Sequence, residues 1–331
     1  MFNEKKVLII GKIPPPIGGV TIHVSRLLKK LERENIAHDF KQNNIKNLLC
    51  FIFSIHKYSC IHIHSSNPFI RLYVVLIAKI LNVKSIVTFH GDIGRFKSTI
   101  KNKIDHITIR WASKPIVLNN NSFLIAKKLN NKTEIVSSFI PPDDANEILP
   151  QKYVDKIQAY KKKYEYLFCS NAYNLSYDKE GMEIYGIFEL IETFKCFPQY
   201  GFILSDPSGA YFKEIKSKKI SLTNNICIIT GLHSFYKVMS LCDASIRNTS
   251  TDGDSISVKE SLYLNKITFT TDVVSRPVGC ILYKRGFFKG ILHNYNFRAE
   301  SPQKIIVENG FERLKQIYDK YNYNETTHPI I

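Results

Sequence analysis

Short apolar runs alternate with amphipathic segments along this chain, and no other feature limits its fold so strongly. Residues 6–10 read as a buried strand that ends at Gly11. A loop over 12–19 carries three prolines and two glycines. The next segment sets Val20, Val24, Leu27, Leu28 and Leu31 at helical spacing. Further strand signals lie at 59–64, 85–89, 115–118 and 134–136, with helices expected over 69–81 and 122–129. Pro141, Pro142 and Pro150, with Asp143 and Asp144, then punctuate the chain and mark a linker near 141–155. After it the pattern restarts. Strands are expected at 166–171, 200–204, 226–229, 244–247 and 267–270, helices at 184–196 and 233–242, and a closing helix at 302–321. Strands that alternate with helices imply parallel sheets covered on both faces. The expectation is an α/β protein of two Rossmann-like domains, 1–150 and 151–331, the second including the closing helix. A ligand would bind at the carboxyl ends of the strands, in a cleft between the two halves.

At 331 residues the chain is longer than one hydrophobic core normally serves. Its 46 basic residues against 29 acidic ones give a net charge of +17, which points to polyanionic neighbours. No arginine-rich arm, RNP-like motif or zinc-finger spacing is present, so specific nucleic-acid recognition is not expected. The seven cysteines are scattered and none forms a CxxC pair. With residues 1–6 leading into a strand rather than a signal sequence, they read as reduced thiols of a cytoplasmic protein. The longest apolar run, 72–81, carries Lys79 and follows Arg71, too short and too charged to span a bilayer.

The stretch 248–277, NTSTDGDSISVKESLYLNKITFTTDVVSRP, is the richest in chemistry. It places Asp252 eight positions before Glu260, with Gly253, Asp254, Ser255 and Ser257 between them. A strand, a Gly/Ser turn and a helix in that order present backbone N–H groups at the helix start, an anion site suited to a diphosphate. Asp252 would sit at its mouth and Glu260 within the helix, an arrangement that fits a nucleotide sugar with hydroxyls at both ends. The plainer reading makes Asp252 and Asp254 helix caps and Glu260 a solvated charge. Two other segments keep company with this one. In GKIPPPIGGVTIHV, Gly18 and Gly19 allow close backbone approach ahead of a helix start. Glu32 and Glu34 lie near the spacing of a ribose-binding acid but at a helix end, which argues against a dinucleotide. In VTFHGDIGRF, His90 and Gly91 fall at a strand's carboxyl end, where the histidine either meets a reacting sugar group or caps the loop.

Jointly these segments resemble a GT-B glycosyltransferase of the family 4 type, and the resemblance covers nearly the whole chain. The PPxxGGVxxH loop matches the stretch that ends at His23, and the HG pair matches His90–Gly91. The E-x7-E signature matches Asp252 to Glu260, with Asp in place of the first Glu. The strings DGDSISVKESL, TDVVSRPVG, SSFIPP and IYGIFELIE look like a subgroup that builds bacterial surface polysaccharide. The resemblance implies a retaining hexosyltransferase that uses a UDP- or GDP-linked sugar and no cofactor. Asp252 would bind donor-sugar hydroxyls, and His90 would lie near the reacting centre. Gly253, Asp254 and Ser255 would present N–H groups to the diphosphate, Glu260 would hold the ribose, and Gly18 and Gly19 would abut the donor. In one respect the chain departs from the family. Of the arginine and lysine usually found after the first strand of the second domain, SNAYNLSYDKEGMEIYG has no arginine. Lys179 is the candidate there, and Arg247 or Arg276 would otherwise supply the charge. The literal DGD at 252–254 also resembles the metal-binding DxD of GT-A enzymes, but it opens a helix in the second of two similar halves. No metal is expected.

The implied acceptor is a lipid-linked oligosaccharide of capsule, O-antigen or exopolysaccharide (lipopolysaccharide) synthesis, handled by a peripheral enzyme on the inner face of the cytoplasmic membrane. Basic and apolar residues stand together at 26–30, at 41–57 (Leu48, Leu49, Phe51, Ile52, Phe53) and at 95–103. Two other readings stay open: a non-catalytic binder of anionic surfaces or nucleic acid, and a nucleotide-sugar epimerase of GT-B fold. The purified chain is expected to bind vesicles rich in anionic lipid at low salt and to leave them as salt rises. Indifference to such vesicles would remove the membrane surface from this reading.

Overall fold

A computed structural model of the chain describes residues 6–143, 147–178, 180–297 and 304–323. They divide into two compact units, Met1–Ile140 with Glu308–Ile331, and Pro141–Val307. The first unit runs β1 (Lys6–Gly11), α1 (Gly19–Arg33), β2 (His38–Gln42), α2 (Ile45–Cys50), a 3₁₀ segment (Phe51–Lys57) and β3 (Tyr58–His64). It continues with α3 (Pro68–Ile80), β4 (Lys84–Phe89), α4 (Thr99–Trp111), β5 (Lys114–Val117), α5 (Asn120–Leu129) and β6 (Glu134–Ile135). The second unit runs α6 (Gln151–Lys163), β7 (Tyr166–Asn171), α7 (Ile187–Lys195), β8 (Tyr200–Asp206), α8 (Ala210–Ser217) and β9 (Ile226–Thr230). It closes with α9 (Phe235–Leu241), β10 (Ala244–Arg247), α10 (Ile256–Tyr263), β11 (Ile267–Thr271), β12 (Cys280–Tyr283) and α11 (Phe288–Asn294). Last comes α12 (Gly310–Tyr323), which belongs to the first unit.

Each unit is built on a six-stranded sheet, ordered β2-β1-β3-β4-β5-β6 in the first and β12-β11-β10-β7-β8-β9 in the second. Every paired strand is parallel to its neighbour. The burial of β1 explains why its sequence is apolar throughout. Val7 and Ile9 join the layer containing Val24, Leu27 and Leu31 of α1, whereas Leu8 and Ile10 join that of Val74, Val75 and Ala78 of α3. With both faces covered, the alternation of a half-exposed strand disappears. The second sheet repeats the arrangement. Phe168, Phe202, Leu204 and Phe269 pack with α7 and α11, and Leu167, Cys169, Ile203 and Ile229 pack with Ile157 of α6 and Val238 of α9. Phe194 stacks on Phe202 with ring centres 4.6 Å apart. Strand order reverses between β1 and β3 in one unit and between β7 and β10 in the other. Those reversals are the switch points where open α/β sheets take ligands.

The closing helix corrects the expected partition. Expected with residues 151–331, α12 instead lays Phe311, Leu314, Ile317 and Tyr318 on the α1 face of the first sheet, beside Val7, Ile9, Cys60 and Ile86. That face needs cover, and the apolar stripe of α12 supplies it. Gly310 starts the helix so close to the preceding chain that a Cβ there would lie 1.9 Å from the Ser137 carbonyl oxygen. Several elements escaped the reading, among them β2, α4, α6, α8, β12 and α11. Strand β2, HDFKQ, is an edge strand with no apolar run. Helix α4 buries Asp105 rather than only apolar groups; Asp105 pairs there with Arg71 of α3, both within the core. Helix α7 begins at Ile187, three residues later than expected, because Gly186 adopts a left-handed φ of 63° just before it. Among the described residues no helix is long and apolar enough to cross a membrane. Phe311→Ala is expected to lower the unfolding free energy by about 3–5 kcal/mol, read by urea denaturation. A loss below about 1 kcal/mol would mean that α12 is not part of the first unit's core.

Candidate functional site

In the second unit the residues of interest gather at the carboxyl end of β10, beside the switch point. Arg247 ends β10 and α10 starts nine residues later, so residues 248–255 form the connecting loop. Asp252 lies in that loop. Arg247 grips it with two bonds, Nε and Nη2 each donating at 3.0 Å. Arg276, from the segment after β11, donates Nη1 to the same carboxylate at 2.8 Å. Arg276 is itself anchored through Nε to the Thr271 carbonyl at 3.0 Å, and Arg247 lies 5.2 Å over the Tyr185 ring. Two guanidiniums on one carboxylate leave a local excess of positive charge. Among the described residues, Arg276 Nη2 and Thr249 Oγ1 are buried without a hydrogen-bond partner. Unpartnered donors of residues that form or touch a loop before a helix start are what an anion would satisfy.

Asp252 therefore stands elsewhere than expected: not open at the mouth of a pocket but 7 % exposed, the counter-charge of two arginines. Burial alone pushes its carboxyl up, and Arg247, then Arg276, more than offset this, so it is held below the usual carboxylate range. Gly253 donates its N–H to Asp252 Oδ1 at 3.1 Å, and Asp254 pairs with Lys259 at 2.5 Å. Ser255 takes the cap position of α10, but its hydroxyl bonds to that of Ser257 at 3.0 Å instead of to the helix. Neither aspartate is the cap. Glu260 is 5 % exposed, which removes the reading as a solvated charge. Ser261 fixes α10 to the sheet through Ser245 at 2.7 Å and Thr268 at 2.8 Å.

The loop is fastened by groups that no sequence pattern singled out. Asn248 donates to Glu189 at 3.0 Å and to the Gly186 carbonyl at 3.1 Å, and accepts from Tyr283 at 3.0 Å. A Cβ on Gly186 would meet Asn248 Nδ2 at 2.3 Å, so glycine is required there for space as well as for its φ. Ser250 donates to Asp178 at 2.7 Å, tying this loop to the one after β7. Lys179, the sequence candidate for a diphosphate clamp, lies outside the described residues.

In the first unit the candidates gather at its own switch point. His64 ends β3, His90 follows β4 and His23 projects from α1. His64 Nδ1 and His90 Nε2 share a hydrogen bond of 3.0 Å. His23 Nδ1 donates to the Ser138 carbonyl at 2.8 Å. Beneath them His62 is held at both nitrogens, by Tyr318 at 2.6 Å and Thr88 at 2.8 Å. Burial first, then neighbouring histidines and, for His90, Arg71 and Arg95, push the His64 and His90 imidazoles well below their usual pKa. They are neutral at physiological pH and serve as hydrogen-bonding groups rather than cations. Gly91 gives way to Arg95, whose Nη1 lies 1.6 Å from where a Cβ would be. Gly18 caps α1, and a Cβ there would meet nothing within 4 Å. The exposed Gly19 opens the helix, so open space lies before the first turn of α1.

No protein-family profile and no curated protein matches the chain. Solved structures do. The Anabaena HepE protein in complex with UDP-glucose superposes with a TM-score of 0.67 at 13 % identity, over 97 % of this chain and 100 % of that one. A glycosyltransferase from Rickettsia africae gives 0.64 at 15 % identity, over 96 % and 99 %. The UDP-GlcNAc 2-epimerase of Methanocaldococcus jannaschii gives 0.60 at 14 % identity, over 95 % and 99 %. Likeness at such identities establishes architecture: the chain has the α/β fold of GT-B glycosyltransferases, one Rossmann-like parallel sheet in each unit.

Asp252→Asn is expected to cost about 3–5 kcal/mol at neutral pH, because two buried guanidiniums lose their counter-charge. The sign of the pH dependence follows from the lowered carboxyl. Its stabilisation is complete above the unfolded value of about 3.9 and is lost as pH falls through the folded value. Urea midpoints of wild type and variant should therefore lie far apart at neutral pH and converge in acid. A gap that persists unchanged into strong acid would disprove the assignment.

Proposed function

We propose that the chain is a retaining glycosyltransferase that moves a sugar from a nucleotide donor to a lipid-linked oligosaccharide. The observation that carries this reading is the pair Arg247 and Arg276 converging at the start of α10, with a buried donor of Arg276 unsatisfied. Placed at the carboxyl ends of β10 and β11, this pair supplies the charge that the loop after β7 lacks among its described residues. In this reading the diphosphate sits before α10, against the backbone of Gly253, Asp254 and Ser255. Glu260 takes the ribose. Asp252 orients both arginines and exchanges part of their hydrogen bonding for donor-sugar hydroxyls. His90, as a neutral imidazole, meets the sugar near the reacting centre. The arginines stabilise charge on the leaving diphosphate, the main catalytic contribution, while that diphosphate helps deprotonate the acceptor. UDP is the favoured nucleotide because HepE was solved with UDP-glucose.

The first unit takes the acceptor, at the inner surface of the cytoplasmic membrane, in synthesis of a surface polysaccharide. Of the apolar residues in 41–57, Leu48 and Phe51 are core, whereas Leu49 and Phe53 are 57 % and 83 % exposed beside the exposed Lys46 and Lys57. Exposed apolar groups flanked by lysines suit an anionic lipid surface. A second reading, a nucleotide-sugar epimerase, is favoured by the likeness to the Methanocaldococcus jannaschii enzyme.

Thermal shift with UDP- and GDP-sugars tests the donor site. A ligand at 100 times its dissociation constant should stabilise the chain by about 2.7 kcal/mol. Glu260→Ala and Arg276→Gln should each abolish the shift. Turnover of the bound sugar without an acceptor would select the epimerase. Stabilisation by polyanions but by no nucleotide sugar would replace both readings with a non-catalytic anion binder.

A further inference from the structure

We propose that His23, His64 and His90 form a binding site for one divalent transition-metal ion, zinc above all. One ring nitrogen from each of the three histidines lies within 4.8 Å of the others. No role in the proposed donor chemistry requires His23 and His64 to be histidine; His90 is shared with that reading, and metal binding is read separately from donor binding.

Two features favour metal over a mere cluster of rings. The first is spacing. His64 Nδ1 and His90 Nε2 are 3.0 Å apart, close to the roughly 3.3 Å between two imidazole nitrogens on a tetrahedral zinc. The second is support from the surrounding backbone. His23 Nδ1 donates to the Ser138 carbonyl, so in the neutral ring Nε2 carries the lone pair. A ligating histidine whose other nitrogen is bound to a carbonyl is the usual arrangement around metals.

The donor set selects the ion. Three imidazoles and no carboxylate suit zinc, cobalt, nickel or copper and reject magnesium and calcium, which take oxygen. Of the two guanidiniums nearby, Arg71 is neutralised by Asp105, while Arg95 remains as the positive group that limits affinity. With three protein ligands the fourth position is open to water or to an oxygen of a bound molecule. The carboxylates of the DGD segment offer no rival site, since Asp252 is bound by Arg247 and Arg276 and Asp254 by Lys259.

The test uses the untagged full chain, stripped with chelator and titrated with cobalt(II) alone. One equivalent should bind with the visible absorption of a four- or five-coordinate nitrogen site, and zinc should displace it. His23→Ala and His64→Ala should each weaken binding by about 100-fold or more, and His56→Ala, at an exposed histidine outside the cluster, should leave it unchanged. Imidazole nitrogen NMR of the wild type covers the case in which a variant fails to fold: zinc should shift the ring signals of His23, His64 and His90. Absence of saturable binding, or binding and ring shifts confined to other histidines, would overturn the proposal.

Discussion

The grip of Arg247 and Arg276 on Asp252 is the interaction on which the second unit's site depends. It joins the ends of two neighbouring strands, β10 and β11, to the loop that starts α10. A buried carboxylate could not stay ionised there without a partner, and a buried pair of guanidiniums could not sit side by side without the carboxylate. The three groups therefore fix one another. They also leave positive charge unspent at a helix start, where the first N–H groups lack acceptors inside the helix. Such a helix start is suited to an anion, which is why the proposed diphosphate is placed there.

The first unit solves a different problem at its own switch point. It brings neutral imidazoles, not cations, to the carboxyl ends of β3 and β4. Strand β3, YSCIHIH, is buried along its whole length, and its two histidines, two residues apart, share one face with ring centres 4.0 Å apart. His62 is satisfied at both nitrogens by Tyr318 and Thr88, one of them carried by the returning helix α12. His64, at the strand end, is left with a nitrogen to spare. The return of α12 to this unit thus covers the sheet and settles the hydrogen bonding beneath the cluster.

Much of this was legible before any coordinates. Parallel α/β architecture followed from β1, β4 and β7, whose apolar runs admit burial on both faces, and Gly253–Ser255 ahead of an apolar periodic segment announced a helix start. The sequence reading placed His90 and Gly91 after a strand, and there they lie. It failed where local pattern carries no information. HDFKQ has no apolar run because an edge strand needs none. Asp105 and Arg71 look like solvated charges until α3 and α4 are packed together. Asn248, with partners on Gly186, Glu189 and Tyr283, is one asparagine among many until the fold closes around it.

The chain by itself determined its apolar elements, its two parallel sheets and its glycine-marked loops, because these rest on periodicity, glycine and burial of contiguous residues. Tertiary structure decided which unit owns the last helix, because α12 is amphipathic and any uncovered apolar face would accept it. It decided also that Asp252 is a bound counter-ion rather than an open acid, because its carboxylate is held by Arg247 and, 24 residues away in sequence and 2.8 Å away in space, by Arg276. And it brought His23, His64 and His90 together from three different elements, a proximity that exists only once β1, β3 and β4 lie side by side.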